Sequence, residues 1–255
     1  MSLTEVVFGP VPSQRLGRCL GINHIPLKHC SYSCRYCQVG ATPMPEIVRH
    51  AFHPPEVVCR TVAERLTMLR AQGEAVDYLT CIPDGEPTLD IHLGQLIDGL
   101  RPLGLPIAVI SNAALIWRED VRAELSRADW VSLKVDCVDN ATWRRLNRPH
   151  PSLELAAILD GIGIFAAAYH GTLVSETRLV AGVNDDAKCV AAVADFLAQA
   201  GIHLSYLAIP RCPPADPLLT SPDAAVVTRA RQVFAQRLQQ VELLTAGKGN
   251  ALPQT

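Results

Sequence analysis

An alternation of apolar, strand-like segments with helical segments constrains the fold of this chain more than any other feature. Apolar residues such as Val58, Val62 and Leu66 recur at the steps of an amphipathic helix. Strand-like runs lie at about 19–27, 75–82, 106–110, 130–135, 171–180 and 204–209. Alternation at this spacing predicts parallel βαβ units in an α/β fold. By itself the pattern allows an open doubly wound sheet or a partial barrel.

The helices predicted between and after these strands cover roughly 56–72, 91–101, 118–127, 155–162, 190–200 and 226–238. Residues 1–18 contain too many Gly and Pro residues for a helix or a central strand, so we expect an irregular N-terminal extension. The tail 247–255 is expected to be disordered. Because 255 residues suffice for one large α/β domain, we predict a single domain with its core at about 15–240.

The composition is that of an ordinary globular protein. Hydrophobic residues make up 49% and charged residues 19%, and the formal net charge is −2, which gives no general case for binding nucleic acid or membranes. No apolar run approaches the roughly 20 residues that span a bilayer. Residues 1–5 lack the basic and long apolar regions of a secretory signal, so we predict a cytoplasmic protein with reduced cysteines.

Three cysteines at the spacing Cys-x3-Cys-x2-Cys follow the first strand-like segment directly: Cys30, Cys34 and Cys37. Thiolates are the usual ligands of a [4Fe–4S] cluster, which normally has four of them. Three would leave one iron open to a substrate or cofactor. A zinc knuckle completed by His24, His29 or a later residue stays open as an alternative. A disulfide framework is disfavoured, because nine cysteines are an odd number in a chain too large to need staples.

Tyr36, which directly precedes the last of these cysteines, completes a pattern that resembles the signature of the radical S-adenosylmethionine (SAM) enzymes. The resemblance implies a partial (β/α)6 TIM-like barrel with the cysteine loop after its first strand. It also implies two cofactors, a [4Fe–4S] cluster on Cys30, Cys34 and Cys37, and SAM bound to the open iron. The expected reaction is reductive cleavage of SAM to a 5′-deoxyadenosyl radical, which abstracts hydrogen from a substrate.

Glycine and polar residues follow the second and third predicted strands, where the loops of α/β barrels carry catalytic groups. Gly85-Glu86-Pro87 resembles the Gly-Gly-Glu-like motif that holds the methionine amino group of SAM, with Asp84 in place of the first glycine. As an isolated tripeptide it would be read as a turn. Ser111 and Asn112 are expected either to hydrogen-bond the methionine carboxylate or ribose of SAM, or to cap a helix.

Ser132, Lys134 and Asp136 share one face of the fourth predicted strand, because side chains on a strand alternate with a period of two. Charged groups on a buried strand need a partner or a polar cavity. The resemblance assigns this face to the SAM ribose or carboxylate, and a mutual ion pair of Lys134 with Asp136 is the alternative. Glu176 and Arg178 share a face of the fifth strand and are expected to line the cavity or to form a salt bridge.

Three further features lie outside these strand faces. Gly182 resembles the glycine turn at which backbone approaches adenine in radical SAM enzymes. Cys81, Cys137 and Cys212 each lie near the end of a predicted strand, which makes them candidates for an auxiliary cluster or a radical-transfer thiol. Residues 143–150 form the most basic stretch. We expect them to be a solvated loop or to place one arginine near the cofactor, in preference to contacting nucleic acid with the tryptophan stacked on a base.

The segments 9–17, 20–23 and 147–151 narrow the resemblance to short bacterial and archaeal radical SAM proteins. These are often described as iron–sulfur oxidoreductases and as related to the tRNA wyosine synthases. Gln14 and Cys19 depart from that group, which usually has Arg and Ser there. Because the sequence has neither a flavodoxin-like domain nor an evident second cluster motif, tRNA modification is not implied.

The expected partners are SAM, an electron donor such as flavodoxin or ferredoxin, and a substrate that is a small molecule, a peptide or a nucleotide. A membrane partner is not expected, and nucleic acid is disfavoured. The alternative from another class is a non-catalytic metal-binding protein, either a zinc-knuckle scaffold or an iron–sulfur redox sensor. The six βα units and the Gly85-Glu86-Pro87 turn favour the enzyme, because a zinc module needs neither of them.

Overall fold

The computed structural model describes residues 6–210 and 215–244. In these ranges, eight strands form one sheet in chain order. The strands are β1 (Val7–Ser13), β2 (Gly17–Ile22), β3 (Tyr78–Cys81), β4 (Ile107–Ser111), β5 (Trp130–Lys134), β6 (Thr172–Arg178), β7 (Leu204–Ala208) and β8 (Gln240–Leu244). The helices are α1 (Pro55–Ala71), α2 (Leu93–Leu100), α3 (Glu119–Leu125), α4 (Asn140–Asn147), α5 (Leu155–Ala168), α6 (Ala187–Gln199) and α7 (Ala224–Ala235).

Strands β2 to β8 pair in parallel, and only β1 runs antiparallel to its neighbour β2. The sheet is curled into a half-barrel, because Phe8 on β1 and Leu244 on β8, at opposite edges, line the same cavity. Parallel strands require crossover connections, and helices α1 to α7 supply them. The predicted α/β partial barrel is therefore confirmed, and the six predicted strands correspond to β2–β7.

Both edge strands were absent from the prediction. The expectation that residues 1–18 are irregular is wrong for Val7–Ser13, which form β1. Its prolines, Pro10 and Pro12, are tolerated because an edge strand need not donate a complete ladder of hydrogen bonds. The last predicted helix was too long: α7 ends at Ala235, and Gln240–Leu244 pair with β7. The predicted tail 247–255 lies outside the described residues.

Apolar residues pack on both sides of the curled sheet. The helices bury one stripe against its outer face, as Val58, Val62 and Leu66 of α1 do. A smaller apolar cluster that includes Leu16, Cys19, Trp130 and Tyr206 fills part of the interior. Because strands β2 to β8 are parallel, the loops after β3, β4, β5 and β6 all leave the sheet at its carboxyl end, where they can share a site.

Residues 143–147 of the basic stretch are helical, so the predicted solvated loop is wrong for them, while the alternative of one arginine near the cofactor stays a prediction. Residues Asn140–Asn147 form α4, whose N-cap Asp139 accepts a hydrogen bond from the Thr142 backbone N–H. Trp143 is only 3% exposed, and its Nε1 atom donates to the Tyr32 hydroxyl at 3.3 Å. A buried indole cannot stack on a base, so that alternative for Trp143 is wrong.

Candidate active site

The loop that carries the three cysteines is docked by its backbone on the carboxyl end of the sheet. Glu86 N donates to His29 O at 2.8 Å, and Arg35 N donates to Leu146 O at 3.0 Å. These bonds join the loop to the turn after β3 and to α4. Cys30, Cys34 and Cys37 are free and partly buried.

Each of the three sulfur atoms has a nitrogen donor within reach. Asn112 Nδ2 lies 3.5 Å from Cys30 Sγ, and Asn147 Nδ2 lies 3.4 Å from Cys34 Sγ. Lys28 Nζ lies 3.5 Å from Cys37 Sγ. Hydrogen bonds to a charged group favour its charged form, and hydrogen bonds to sulfur tune iron–sulfur clusters. The donors around these cysteines therefore fit three thiolate ligands.

Burial raises the pKa of the Cys30 thiol to about 12 and that of Cys34 to about 11. For Cys30, the nearby Cys34 and Glu86 raise the pKa further. Free thiols in this setting would stay protonated and would be poor nucleophiles. Metal coordination deprotonates such a thiol outright. The donor set therefore suits metal ligands better than nucleophiles.

The two histidines considered as zinc ligands contact carboxylates. His24 Nδ1 lies 2.9 Å from Asp90 Oδ2, and His29 Nδ1 contacts Glu46 Oε1. Across residues 6–210 and 215–244, no three or more His, Cys, Asp or Glu side chains lie close enough together to hold a single metal ion. The ligands of a [4Fe–4S] cluster are a different case, because they do not share one ion.

The turn after β3 lies directly against the cysteine loop. A side chain at Gly85 would collide with the carbonyl oxygen of His29, so this position requires glycine. Here the close approach is to the cysteine loop itself, whereas the sequence predicts a close approach to a ligand. Pro87 is buried and begins a short 3₁₀ helix over Pro87–Leu89.

Glu86, the next residue of this turn, is buried, with only 1% of its surface exposed. Its Oε1 atom accepts hydrogen bonds from Thr88 N at 3.1 Å and Ser111 Oγ at 2.6 Å, and also from the Thr88 hydroxyl at 2.7 Å. Its Oε2 atom accepts from Asn112 N at 2.7 Å. Burial raises the pKa of Glu86, and these hydrogen bonds oppose the rise. A carboxylate has about four lone-pair positions, so Oε2 retains room for one further donor.

Ser111 and Asn112 hold Glu86 and do not cap α3. That helix begins at Glu119, and Arg118 is its N-cap residue. The Ser111 hydroxyl and the Asn112 backbone N–H both donate to the Glu86 carboxylate. The structure therefore brings three of the predicted site residues, Glu86, Ser111 and Asn112, together beside Cys30.

A second network links the end of β5 to the cysteine loop. Asp136 Oδ2 accepts hydrogen bonds from the Tyr36 hydroxyl and from Asn147 Nδ2, the latter at 2.7 Å. Asn147 Nδ2 also lies 3.0 Å from the Tyr36 hydroxyl. Asp136 Oδ1 accepts from Arg178 N at 2.8 Å. This network fixes the side chain of Tyr36, which is buried. In the sequence, Tyr36 lies between Cys34 and Cys37. The sequence predicted Tyr36 and Asp136 but gave no role to Asn147.

Three cations surround the carboxylate of Glu176. Lys134 Nζ lies 3.2 Å and Arg178 Nη2 2.9 Å from its Oε1 atom, and Arg15 Nη1 lies 2.7 Å from Oε2. Burial alone would raise the pKa of Glu176, but Lys134, Arg178 and Arg15 together hold it well below its ordinary value. Lys134 therefore forms its ion pair with Glu176, and the alternative of an ion pair between Lys134 and Asp136 is wrong. Arg15 was not among the candidate site residues predicted from the sequence.

Two predicted residues lie apart from these networks. Ser132 Oγ is buried and has no hydrogen-bond partner among the described residues. Gly182 lies in an exposed turn with φ at +66°, where its N–H donates to Asp185 Oδ1 at 2.8 Å. No heavy atom lies within 4 Å of a side chain built at Gly182, so the space beside it is open.

Cys81 and Cys137 are both buried in the main hydrophobic core. Burial raises the pKa of Cys81 to about 12 and that of Cys137 further. Cys212 lies outside the described residues. A further site formed by these three cysteines therefore stays a prediction.

A curled parallel sheet with a cysteine loop at the carboxyl end of its strands is an arrangement that this chain shares with known enzymes. Residues 25–197 match the profile of the Radical SAM superfamily. The chain belongs to the radical SAM superfamily, whose members use a [4Fe–4S] cluster and SAM, and it is an enzyme.

Within this superfamily the chain groups with the UPF0026 proteins. It is 42% identical over 247 residues to a UPF0026 protein of Methanocaldococcus jannaschii, covering 96% of this chain and 76% of that protein. A UPF0026 protein of Helicobacter pylori is 36% identical over 199 residues, which are 75% of this chain and 62% of the relative. The chain thus spans between about three fifths and three quarters of these relatives.

Solved structures share the fold. A structure of TYW1 with a lysine–pyruvate adduct bound has a TM-score of 0.67 and 18% identity, covering 88% of this chain and 76% of that one. Streptococcus suis SuiB bound to S-adenosylmethionine has a TM-score of 0.62 and 13% identity, covering 90% of this chain and 52% of that one. At these identities the likeness concerns the fold alone. No helix among the described residues is long and apolar enough to cross a membrane.

Proposed function

We propose that Cys30, Cys34 and Cys37 hold the [4Fe–4S] cluster of this enzyme and that SAM binds the iron that they leave open. The bound cluster would supply the electron that cleaves SAM to a 5′-deoxyadenosyl radical, which abstracts hydrogen from the substrate. The observation that carries this assignment is the nitrogen donor beside each of the three sulfurs, on Asn112, Asn147 and Lys28. Three separate parts of the chain place these donors.

Glu86 is the proposed acceptor for the methionine ammonium group of SAM. Its Oε2 atom faces a single donor, Asn112 N, at 2.7 Å, while Ser111 and Thr88 hold Oε1. These bonds would fix the carboxylate before SAM arrives, which lowers the entropic cost of binding. Gly85 lets the turn approach the cysteine loop, and Pro87 fixes the chain that follows it.

Strand β5 and the loops that follow β5 and β6 are proposed to hold the rest of SAM. Ser132 has a buried hydroxyl that lacks a partner among the described residues, so it has capacity for a polar group of the cofactor. Lys134 and Asp136 follow on the same strand face and supply opposite charges for the ribose or carboxylate. The Tyr36 ring lies 5.1 Å from Lys134 Nζ, and its hydroxyl donates to Asp136. Gly182 offers an open turn for adenine. A flavodoxin or ferredoxin is the proposed electron donor.

The experiment that tests this function is anaerobic. The protein is reconstituted with iron and sulfide, reduced with dithionite and given SAM, and 5′-deoxyadenosine is measured by chromatography together with bound iron. We expect Cys34→Ala to lose cluster iron and deoxyadenosine formation. Cys189→Ala, which removes a thiol on α6, is the matched control and should retain both.

Three results would contradict the proposal. Stoichiometric zinc with no bound iron would favour the zinc-knuckle scaffold. An intact cluster that neither binds nor cleaves SAM would favour a redox sensor. Equal deoxyadenosine formation by Cys34→Ala and the unsubstituted protein would exclude Cys34 as a ligand.

A further inference from the structure

A cavity of about 240 Å³ lies inside the half-barrel, between the two edge strands. Phe8 and Val11 of β1 and Leu244 of β8 form part of its apolar wall. Gln38, the residue after Cys37, also lines it. The cavity therefore reaches the cysteine loop that is proposed to hold the cluster.

Most of the cavity is built by parts of the chain outside residues 25–197, which match the superfamily. Leu16, Cys19 and Ala208 belong to these parts, as do the edge-strand residues. Of the residues proposed to hold SAM, Lys134 lines the cavity whereas Glu86 does not. Substrate specificity is expected in such added parts, because the cofactor site is the part that the superfamily shares.

The charged side of the cavity carries more positive than negative groups. Arg15, Lys134 and Arg178 line it together with one carboxylate, Glu176, which contacts all three. Asp136 lies outside the lining, although its charge acts on Lys134 and Arg178, and its carboxylate accepts hydrogen bonds from Tyr36 and Asn147. The lining therefore has three cations for one anion.

Two of these cations have unused hydrogen-bonding capacity. Arg178 Nε is buried and has no hydrogen-bond partner among the described residues. Arg15 donates through Nη1 to Glu176, and its guanidinium lies 6.0 Å from the Trp130 ring and 5.8 Å from the Tyr206 ring. The rings and Glu176 hold this guanidinium in place. Arginine is the residue best suited to planar, bidentate binding of carboxylate and phosphate groups.

We propose that the cavity binds the oxyanion group of a small substrate, a carboxylate or a phosphate, between Arg15 and Arg178. The remainder of the substrate would lie against Phe8, Val11 and Leu244, with its reacting hydrogen towards the cysteine loop. The bound anion would balance the excess positive charge, which is costly to bury without a partner. This inference rests on the proposed function, since it takes the cavity to be the substrate site of a radical SAM enzyme.

The test measures binding of three matched probes to the cluster-loaded protein with SAM, by anaerobic calorimetry. The probes are hexanoate, hexyl phosphate and hexan-1-ol, which share one alkyl chain. We expect at least one anion to bind about tenfold or more tightly than the alcohol, a difference of about 1.4 kcal/mol. Arg15→Gln should weaken anion binding by about the same factor, and Arg15→Lys should weaken it less.

Arg18→Gln is the matched control, because Arg18 lies in the same hairpin but pairs with Glu74 on the surface. It should leave the affinities of all three probes unchanged. Thermal unfolding and iron content of each variant show whether it is folded. If Arg15→Gln fails to fold, Arg15→Lys and the comparison of anions with the alcohol still decide.

Binding of hexanoate alone would assign a carboxylate substrate, and binding of hexyl phosphate alone a phosphate ester. The proposal is overturned if neither anion binds, if hexan-1-ol binds equally well, or if Arg15→Gln and Arg18→Gln behave alike. Deoxyadenosine formation by the unsubstituted protein is measured in parallel. An intact cluster that neither binds nor cleaves SAM, with anion binding unchanged, would contradict the proposed function and leave the anion site in place.

Discussion

Asn147, the last residue of α4, donates through one nitrogen to three acceptors at the proposed cluster site. Its Nδ2 atom lies 3.4 Å from Cys34 Sγ, 3.0 Å from the Tyr36 hydroxyl and 2.7 Å from Asp136 Oδ2. An amide nitrogen carries two hydrogens, so the three acceptors share them. Asn147 therefore couples the electrostatics of a proposed cluster ligand to the polar network on β5.

Replacing Asn147 by Ala should lower the reduction potential of the cluster. A hydrogen bond to sulfur stabilises the reduced, more negative cluster more than the oxidised one. If that difference is about 1 kcal/mol, the midpoint should fall by several tens of millivolts, since 59 mV is a factor of ten for one electron. A redox titration followed by electron paramagnetic resonance measures it.

Asn140→Ala is the control for this prediction, because Asn140 is exposed at the first turn of the same helix. It should leave the potential unchanged. A midpoint potential of Asn147→Ala equal to that of the unsubstituted protein would show that the contact with Cys34 has no electronic effect.

At the level of residues, local sequence patterns selected candidate site residues but did not predict how their side chains interact. The spacing of Cys30, Cys34 and Cys37 and the position of Glu86 were sufficient to select them. Asn147 and Arg15 gave no comparable signal, because their contacts join residues 113 and 161 positions apart along the chain. Such contacts depend on the curvature of the sheet, which no local pattern specifies.

Among the elements, α5 packs with one glycine directly against the backbone of the loop before α3. A side chain at Gly161 would come within 2.8 Å of Ile116 C and Trp117 Cα. At Gly163, two residues along the same helix, nothing lies within 4 Å of the added carbon. Alanine substitutions at the two positions therefore distinguish the effect of close packing, at Gly161, from the effect of helix propensity alone, at Gly163.

Gly161→Ala should destabilise the protein by about 1–3 kcal/mol, because backbone atoms cannot move aside as a flexible side chain can. Gly163→Ala should stabilise it by about 0.5–1 kcal/mol through helix propensity alone. Urea unfolding followed by circular dichroism measures both. The packing argument is excluded if both substitutions change stability in the same direction by similar amounts.

The elements that the sequence did not predict are short and lie at edges or at the site. Strand β1 contains two prolines, which argue against a strand unless it lies at an edge. Strand β8 has five residues and begins two residues after the end of the helix predicted over 226–238, so the helical pattern before it concealed it. Helix α4 is only eight residues long and carries basic residues on its exposed face, so its charge outweighed its helical pattern.

Across the whole molecule, the ion cluster on Glu176 joins the N-terminal hairpin to the centre of the half-barrel. Arg15 extends from the turn between β1 and β2 to a carboxylate on β6, 161 positions away in sequence. Lys134 attaches β5 to the same carboxylate. The groups proposed to recognise the substrate therefore also connect the edge of the sheet to its middle, so substrate binding and stability depend on the same charges.

Glu176→Gln should therefore lower the free energy of unfolding by about 3–5 kcal/mol near pH 7, because it leaves buried cations without a counter-charge. The pKa of Glu176 is held well below its ordinary value in the folded state, while an unfolded glutamate titrates near about 4.3. The stabilisation is thus present above about pH 4.3 and is lost as the pH falls through the lower folded pKa. The difference in unfolding free energy between the unsubstituted protein and Glu176→Gln should therefore shrink as the pH falls.

Urea unfolding at pH 7, 5 and 3.5 measures this difference. Glu74→Gln is the control, because Glu74 belongs to an exposed ion pair, and it should change stability by less than about 1 kcal/mol. A difference independent of pH would show that the substitution acts through packing and not through charge.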